Sequence, residues 1–243
     1  MAHNQDLTRL FGSIAPDYDF ANHTLSLGLD YYWRRILVRS LNAAPSGLLL
    51  DIAAGTFDVS ILLGKVYSGR KVLALDPCLP MLKSGLPKIC RAEKKGLKAQ
   101  SILPLAGDAF CLPLPDNSVA AITVSFGLRN MQPGVDALKE MLRVLAPGGR
   151  LSVLEFGSAG KKSGFALNPW FALYRFYLFK ILPHIGGFIS GQRQAYEYLA
   201  QSIALFPKAE ELKEIMLEAG FERVEYKKLS GGIVYLHCAD KKN

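Results

Sequence analysis

From Leu48 onward, short apolar runs alternate with helical stretches, and that alternation most constrains what the chain can fold into. The runs are Leu48 to Ala53, Val72 to Leu75, Ser101 to Leu105, Ala120 to Phe126 and Leu151 to Phe156. Short continuous apolar runs of this kind suit strands buried on both faces. Between them apolar residues recur at helical spacing, as in Val135, Leu138, Met141, Leu142 and Leu145. Strands separated by helices imply right-handed crossovers and a mostly parallel sheet. The ending breaks the pattern. Ala209 to Ala219 reads as an amphipathic helix stopped by Gly220, followed by strands at Phe221 to Leu229 and Val234 to Cys238. Only Ser230-Gly231-Gly232-Ile233 joins these two, a hairpin length, so the last strand is expected to be antiparallel.

Two segments stand outside the alternation. Residues 1–45 read as a helical cap, with a helix from Gln5 to Ile14 and another from about Ser26 to Asn42. Between them Ala15-Pro16-Asp17-Tyr18-Asp19 reads as a turn, because the residue before proline avoids helix and Asp caps. Residues 157–207 read as a helical insertion after the fifth strand. It opens with a polar Gly/Ser/Lys loop, and its Trp170 to Leu182 stretch is apolar and aromatic nearly all round. Two readings stand for that stretch. One is a core helix. The other is a lid over an apolar substrate that also touches a membrane interface, where aromatics and snorkelling cations are favoured. At 243 residues, half of them hydrophobic, residues 1–243 fit a single α/β domain.

The formal charge of +8 favours anionic partners. Its basic residues are spread along the chain, with short knots at Arg91 to Lys98, Lys161-Lys162 and Lys241-Lys242 and no aromatic-interleaved basic motif. Nucleic acid is therefore not expected as a partner, and a basic face against anionic lipid explains the charge as well. Cys78, Cys90, Cys111 and Cys238 are scattered without a CxxC pair, which argues against a disulfide framework and a metal site and fits a reducing cytosol. Met1 to Leu10 lacks the apolar core of a signal peptide, and no run is long enough for a transmembrane helix. The expected location is cytoplasmic, peripheral to a membrane. A homo-oligomer is compatible with the sequence, which specifies no oligomeric state.

In open parallel sheets ligands bind beyond the carboxyl ends of the strands, so the residues there are the candidates. After the first strand comes Asp51-x-Ala53-x-Gly55-Thr56-Phe57-Asp58, small residues ahead of a helix N-terminus that offers free N–H groups. After the second comes Asp76, about twenty residues on, where an acid accepts the hydroxyls of a ribose. An Asx turn before Pro77 is the plainer reading. Gly107-Asp108-Ala109 follows the third strand, where an acid can accept from an exocyclic amine or serve only as a loop residue. The fourth ends in Ser125-Phe126-Gly127-Leu128-Arg129-Asn130, over the middle of the sheet. The spacing Ala53-x-Gly55-x-x-Asp58 is not the dinucleotide fingerprint, which disfavours an NAD-dependent dehydrogenase.

Several stretches closely resemble the ubiquinone/menaquinone biosynthesis C-methyltransferases. They include Phe11-Gly12-Ser13-Ile14-Ala15-x-x-Tyr18-Asp19-x-x-Asn22, Ser125 to Asn130, Glu140-Met141-x-Arg143-Val144-Leu145-x-Pro147-Gly148-Gly149, Leu154-Glu155-Phe156 and Gly232-Ile233-Val234-x-Leu236-His237. The resemblance runs nearly end to end. It implies a class I, Rossmann-like methyltransferase fold: a seven-stranded, mostly parallel sheet with an antiparallel terminal strand, N-terminal helices and a helical insertion after strand five. It implies S-adenosylmethionine as cofactor and a polyprenyl quinol as substrate, with transient membrane contact. Gly55 and Thr56 would lie against the amino-acid part of the cofactor, Asp76 against the ribose, Asp108 and Ala109 around the adenine, and Ser125 along the pocket. Tyr18, Arg129 and Asn130 would face the quinol as catalytic residues, Arg129 stabilising a developing phenolate.

Two positions depart from the family pattern. Phe57 replaces the second glycine of Gly-Thr-Gly-Asp, where a ring either clashes with cofactor or points into the core. Gln192 stands where an acid is common. Two other functions fit the same fold: a methyltransferase for a different phenol or small lipid, and a degenerate cofactor-binding scaffold marked by Phe57. No residue separates a naphthoquinol from a benzoquinol substrate.

Overall fold

The computed structural model describes residues 2–132, 134–158 and 169–243. The helices are α1 (Ala2–Ile14), α2 (Tyr18–Leu25), α3 (Leu29–Arg39), α4 (Asp58–Val66), α5 (Leu79–Lys94), α6 (Gly134–Val144), α7 (Pro169–Phe176), α8 (Leu182–Ser190), α9 (Arg193–Leu205) and α10 (Ala209–Glu218). The strands are β1 (Leu49–Ile52), β2 (Val72–Asp76), β3 (Ile102–Ala106), β4 (Val119–Ser125), β5 (Leu145–Phe156), β6 (Glu222–Leu229) and β7 (Val234–Asp240). They form one seven-stranded sheet in the order β3-β2-β1-β4-β5-β7-β6. The first five are parallel, and β7 runs antiparallel to both β5 and β6.

Apolar side chains explain the order. β1 and β4 lie at the centre, and Leu49, Leu50, Ile52, Val119, Ala121, Ile122 and Val124 are all fully buried. One core packs α6 and α10 against one face of the sheet through Leu138, Met141, Leu212 and Met216. A second packs α3, α4 and α5 against the other through Leu37, Val38, Leu63 and Ile89. The sheet order reverses between β1 and β4, leaving a crevice at their carboxyl ends.

The N-terminal segment differs from its sequence reading. The turn at Ala15 to Asp19 ends where α2 begins, and α2 is a helix the periodicity did not signal. The helix expected from Ser26 begins at Leu29, because Leu27 (φ 52°) and Gly28 (φ 75°) take left-handed backbone. It ends at Arg39 in a 3₁₀ turn. The fifth strand begins earlier than expected, at Leu145, since Leu145 pairs with Val119 before the Pro147-Gly148-Gly149 irregularity. In the insertion, α7 and α8 are joined by a π-helical turn at Tyr177–Ile181. Residues 159–168 of its polar loop, with Lys161-Lys162, lie outside the described residues, while Gln192 sits exposed just before α9. The insertion folds back over the cap: α2 packs against α8, and α1 against α9 and α5. Both segments therefore cover the carboxyl ends of the strands.

Candidate active site

Two cavities occupy that crevice and share Tyr18 and Phe126 as a common wall. The first, of about 820 Å³, follows the strand ends: Gly55 after β1, Asp76 ending β2, Asp108 and Ala109 after β3, and Ser125 ending β4. Asn130 lines it too, and α1 closes it through Leu7, Thr8 and Phe11. The second, of about 1010 Å³, lies under the cap and insertion. Its walls are chiefly apolar and aromatic, including Trp33, Phe156, Tyr177, Leu178 and Leu199, with Arg129 and Asp30 among the few charged groups.

Asp76 is held rigidly at the first cavity. One carboxylate oxygen accepts the Gly55 N–H at 2.9 Å, the other the Cys78 N–H at 2.8 Å. Burial raises its pKa and these two bonds oppose the rise. Each oxygen keeps a lone pair for a ligand diol. The Ser125 hydroxyl is buried in the cavity wall and has no hydrogen-bond partner among the described residues. Ala109 is buried beside exposed Asp108, whose carboxylate accepts the Phe110 N–H at 3.1 Å. A diol acceptor, an orphaned hydroxyl and an apolar slot with an acid at its rim are what a nucleoside with a polar tail requires, so these residues fit S-adenosylmethionine.

Backbone strain concentrates here. Ala53 (φ 56°) and Phe126 (φ 57°) line the cavity in the left-handed region, and Phe57 (φ 72°) adopts it at the start of α4. Such conformations cost roughly 1–3 kcal/mol each and tend to cluster where a ligand is held. Gly127 permits the close approach of the β1 and β4 loops, because a Cβ there would lie 2.4 Å from the Ala53 methyl.

Phe57 keeps the backbone a glycine would give and turns its ring away from the cavity. The ring is fully buried and lies over Gly85 of α5, where a Cβ would come within 2.5 Å of Cδ2. The feared clash with cofactor is absent because α5 leaves room for the ring. Thr56 differs from its expected place. It is buried but does not line the first cavity; its hydroxyl donates to Asp19 and accepts from Lys88 at 3.2 Å. Lys88 also bonds Asp19 at 2.8 Å and pairs with Asp58, tying α2, α4 and α5 together beneath the loop.

Arg129 and Asn130 follow β4 in a 3₁₀ turn. Arg129 lines the second cavity, with its guanidinium against Glu155 of β5 at 3.0 Å, and Nη1 also donates to the Phe126 carbonyl. Glu155 accepts the Arg129 N–H at 3.2 Å and the Phe156 N–H at 3.1 Å as well. The pair is nearly neutral, so Arg129 offers a ligand the donor at Nε, which is buried without a partner among the described residues. It lies over the Phe156 ring, 5.6 Å from the centroid, and Phe156 packs on Phe126 at 4.6 Å. The Asn130 amide oxygen accepts the Tyr198 hydroxyl at 2.9 Å. Burial pushes the Tyr18 phenol up, against the opposing charges of Arg129 and Arg34, so at neutral pH it remains a donor.

The chain matches the ubiE/COQ5 methyltransferase family over residues 1–241. The chain belongs to that family. Among its relatives is the demethylmenaquinone methyltransferase of Thermus thermophilus, 42% identical over 96% of this chain and 100% of the relative. Another is the ubiquinone/menaquinone biosynthesis C-methyltransferase UbiE of Ectopseudomonas mendocina, 41% identical over 96% of this chain and 88% of the relative. A SAM-dependent methyltransferase from Thermotoga maritima shares the fold, with TM-score 0.64, 20% identity and coverage of 96% and 99% of the two chains.

Three groups beside the cavities of this methyltransferase were not singled out from the sequence: Glu155, the Asp30–Arg34 pair and Lys88. The signal for Glu155 was a lone acid inside the apolar run Val153-Leu154-Glu155-Phe156. The other two had none, since charges on amphipathic helices ordinarily face solvent.

Asp51, at the root of the cofactor loop, links the site to stability. It is 1% exposed and accepts the Ser60 hydroxyl at 2.6 Å and the Thr123 hydroxyl at 2.8 Å. Burial nonetheless raises its pKa from 3.8 to about 6. The folded state therefore holds this proton more tightly than the unfolded chain. The stability it contributes is complete below about pH 4 and is lost as pH rises through about 6. A two-unit shift corresponds to about 3 kcal/mol. Urea unfolding of wild type and Asp51→Asn is expected to show the variant gaining about that much relative to wild type between pH 4 and 7; parallel profiles would disprove the burial effect.

Proposed function

We propose that this methyltransferase moves a methyl group from S-adenosylmethionine to a ring carbon of a polyprenylated quinol, either demethylmenaquinol or the ubiquinone-type precursor. The observation that carries the reading is the pair of cavities that share Tyr18 and Phe126, one carrying Asp76, Asp108 and Ser125 at the strand ends, the other apolar and aromatic with Arg129 and Asp30 in its wall. The names of the relatives support the same substrate class. When bound, the donor supplies an electrophilic methyl on a sulfonium. Gly55, Asp76, Asp108, Ala109 and Ser125 bind and orient it, with Thr56 bracing the loop from beneath. Tyr18 and Asn130 orient the quinol ring at the junction, and Arg129 donates from Nε to the ring oxygen as charge develops there. The rest is alignment, worth roughly 7–11 kcal/mol when two reactants are held in line. The scaffold alternative loses its support, since the Phe57 ring packs in the core.

Residues 1–45 and 157–207 act in this reading as a cap and lid on one domain. Leu27 and Leu29 line the second cavity yet are 89% and 40% exposed, and Phe188 of α8 is 93% exposed. This apolar rim suits a transient encounter with the membrane that holds the quinol. Among the described residues no helix is long and apolar enough to cross a membrane. The test is calorimetry with S-adenosylmethionine, then methyl transfer to each quinol presented in anionic vesicles. Donor binding and turnover of one or both quinols are expected, with Leu27→Asp reducing co-sedimentation with the vesicles. Absence of donor binding at millimolar concentration would sink the enzyme reading.

A further inference from the structure

One buried charge cluster faces the apolar cavity and reaches Thr56, beneath the β1–α4 loop, through Asp19 and Lys88. Asp30, in the first turn of α3, is 3% exposed and lines that cavity beside Ser26, Asn22 and Tyr18. Its Oδ1 accepts the Ser26 hydroxyl at 2.8 Å. Its Oδ2 accepts Arg34 Nη1 at 2.7 Å and lies 2.7 Å from His23 Nδ1. His23 stands on α2 at the solvent boundary, its side chain 22% exposed, with the Tyr31 ring stacked on it at 4.3 Å. A carboxylate inside and an imidazole outside, joined by one hydrogen bond, form a path for a proton.

The reaction needs such a path. A quinol that exchanges a ring hydrogen for a methyl must release one proton per turnover, and ionising its hydroxyl is what makes the neighbouring carbon nucleophilic. The other polar groups of the cavity serve this poorly. The Arg129 guanidinium has donors only, and Tyr18 is a donor. Resting on the quinol reading above, we propose that Asp30 is the base that takes the quinol hydroxyl proton and that His23 relays it to solvent. The quinol O–H bond breaks as its proton bonds to an Asp30 oxygen, and the electron pair left on the ring oxygen feeds the attacking carbon. In the tautomer that presents a bare Nδ1, His23 takes the proton from Asp30 as its Nε2 proton leaves to water, and exchange with water restores that tautomer. After methylation the hydrogen on the ring carbon departs as a proton and one returns to the ring oxygen, so one proton is lost for each methyl gained. Arg34 pairs with Asp30, and Asp58, Lys88 and Asp19 complete the charges around the pair from α4, α5 and α2.

The test compares wild type, Asp30→Asn and His23→Ala in quinol methylation from pH 6 to 10, with thermal unfolding and donor calorimetry alongside. Arg34 keeps Asp58 as a partner in Asp30→Asn, so donor binding should persist. Its kcat is expected to fall about 100-fold or more at neutral pH with KM changed less than about threefold. The deficit should shrink as pH approaches the ordinary phenol range near ~10, where the substrate ionises unaided. His23→Ala should lose about tenfold and recover with added imidazole. An ion pair that merely ties α2 to α3 would show neither the recovery at high pH nor the rescue by imidazole. Asp30→Asn with kcat within about threefold of wild type, or with the same deficit at every pH, overturns the relay. Wild type that binds donor but leaves the quinol unmethylated overturns the substrate reading and the relay with it; active wild type with indifferent variants overturns the relay alone.

Discussion

Glu155→Ala is expected to lower the unfolding free energy by about 3–5 kcal/mol and to abolish measurable methyl transfer. The carboxylate is 1% exposed at the end of β5 and gathers both oxygens around Arg129, whose own side chain is 5% exposed. Removing it leaves a charged guanidinium in an apolar cavity with the Phe126 carbonyl as its remaining partner. That penalty, not the intrinsic worth of the pair, sets the magnitude. Glu155→Gln keeps shape and acceptor and should cost less, about 1.5–3 kcal/mol, the usual worth of a hydrogen bond to a charged group. Replacing both partners with Met and Leu should recover most of the stability while activity stays lost. Urea unfolding with unchanged m-values checks all three. A Glu155→Ala protein as stable as wild type would mean that the pair is solvated in solution.

Gly85→Ala is expected to destabilise the protein and weaken donor binding together, although alanine is the better helix former by about 1 kcal/mol. The added methyl would lie 2.5 Å from the Phe57 ring and 2.8 Å from the Thr56 backbone. Overpacking of this kind costs typically 1–3 kcal/mol and exceeds the helical gain when backbone must move. The backbone that must move is that of the cofactor loop. Phe57→Gly should cost about 3–5 kcal/mol for the lost ring, offset by roughly 1–2 kcal/mol from relief of the left-handed φ. The two changes are not additive: the double variant should be more stable than the sum of the singles predicts, since the ring that clashes is gone. A residual loss should persist, because the Thr56 backbone remains in the way. Additivity in a double-mutant cycle would show that Phe57 and Gly85 do not share this space.

The fold was legible because burial on both faces writes continuous apolar runs into β1, β2 and β4, and helical periodicity writes itself into α6 and α10. Errors fell where backbone geometry overrode pattern. Gly28 ends one helix and starts another, and α2 was hidden in a polar stretch whose buried residue is Ala21. That Asp76, Ala109 and Ser125 would lie together on one cavity was legible from their place at strand ends, since the topology brings those ends together whatever their neighbours are. Thr56 was not, because which way a loop side chain turns depends on the helices packed against it; here Asp19 and Lys88, distant in sequence, draw it below the loop.

The alternation of strand and helix determined by sequence alone a mostly parallel sheet with a crevice at its strand ends, and the motifs from Phe11 to Asn22 and Ser125 to Asn130 carried the resemblance to the family. Periodicity reports how much of a side chain is buried and carries no information about which distant group it meets. Only the tertiary structure decided that Phe57 rests on Gly85, that Arg129 is neutralised by Glu155, and that His23 and Asp30 meet beside a cavity roofed by the insertion. Each of those pairings joins residues on different elements, and its energy depends on distances of a few ångströms that the sheet and its crossovers set.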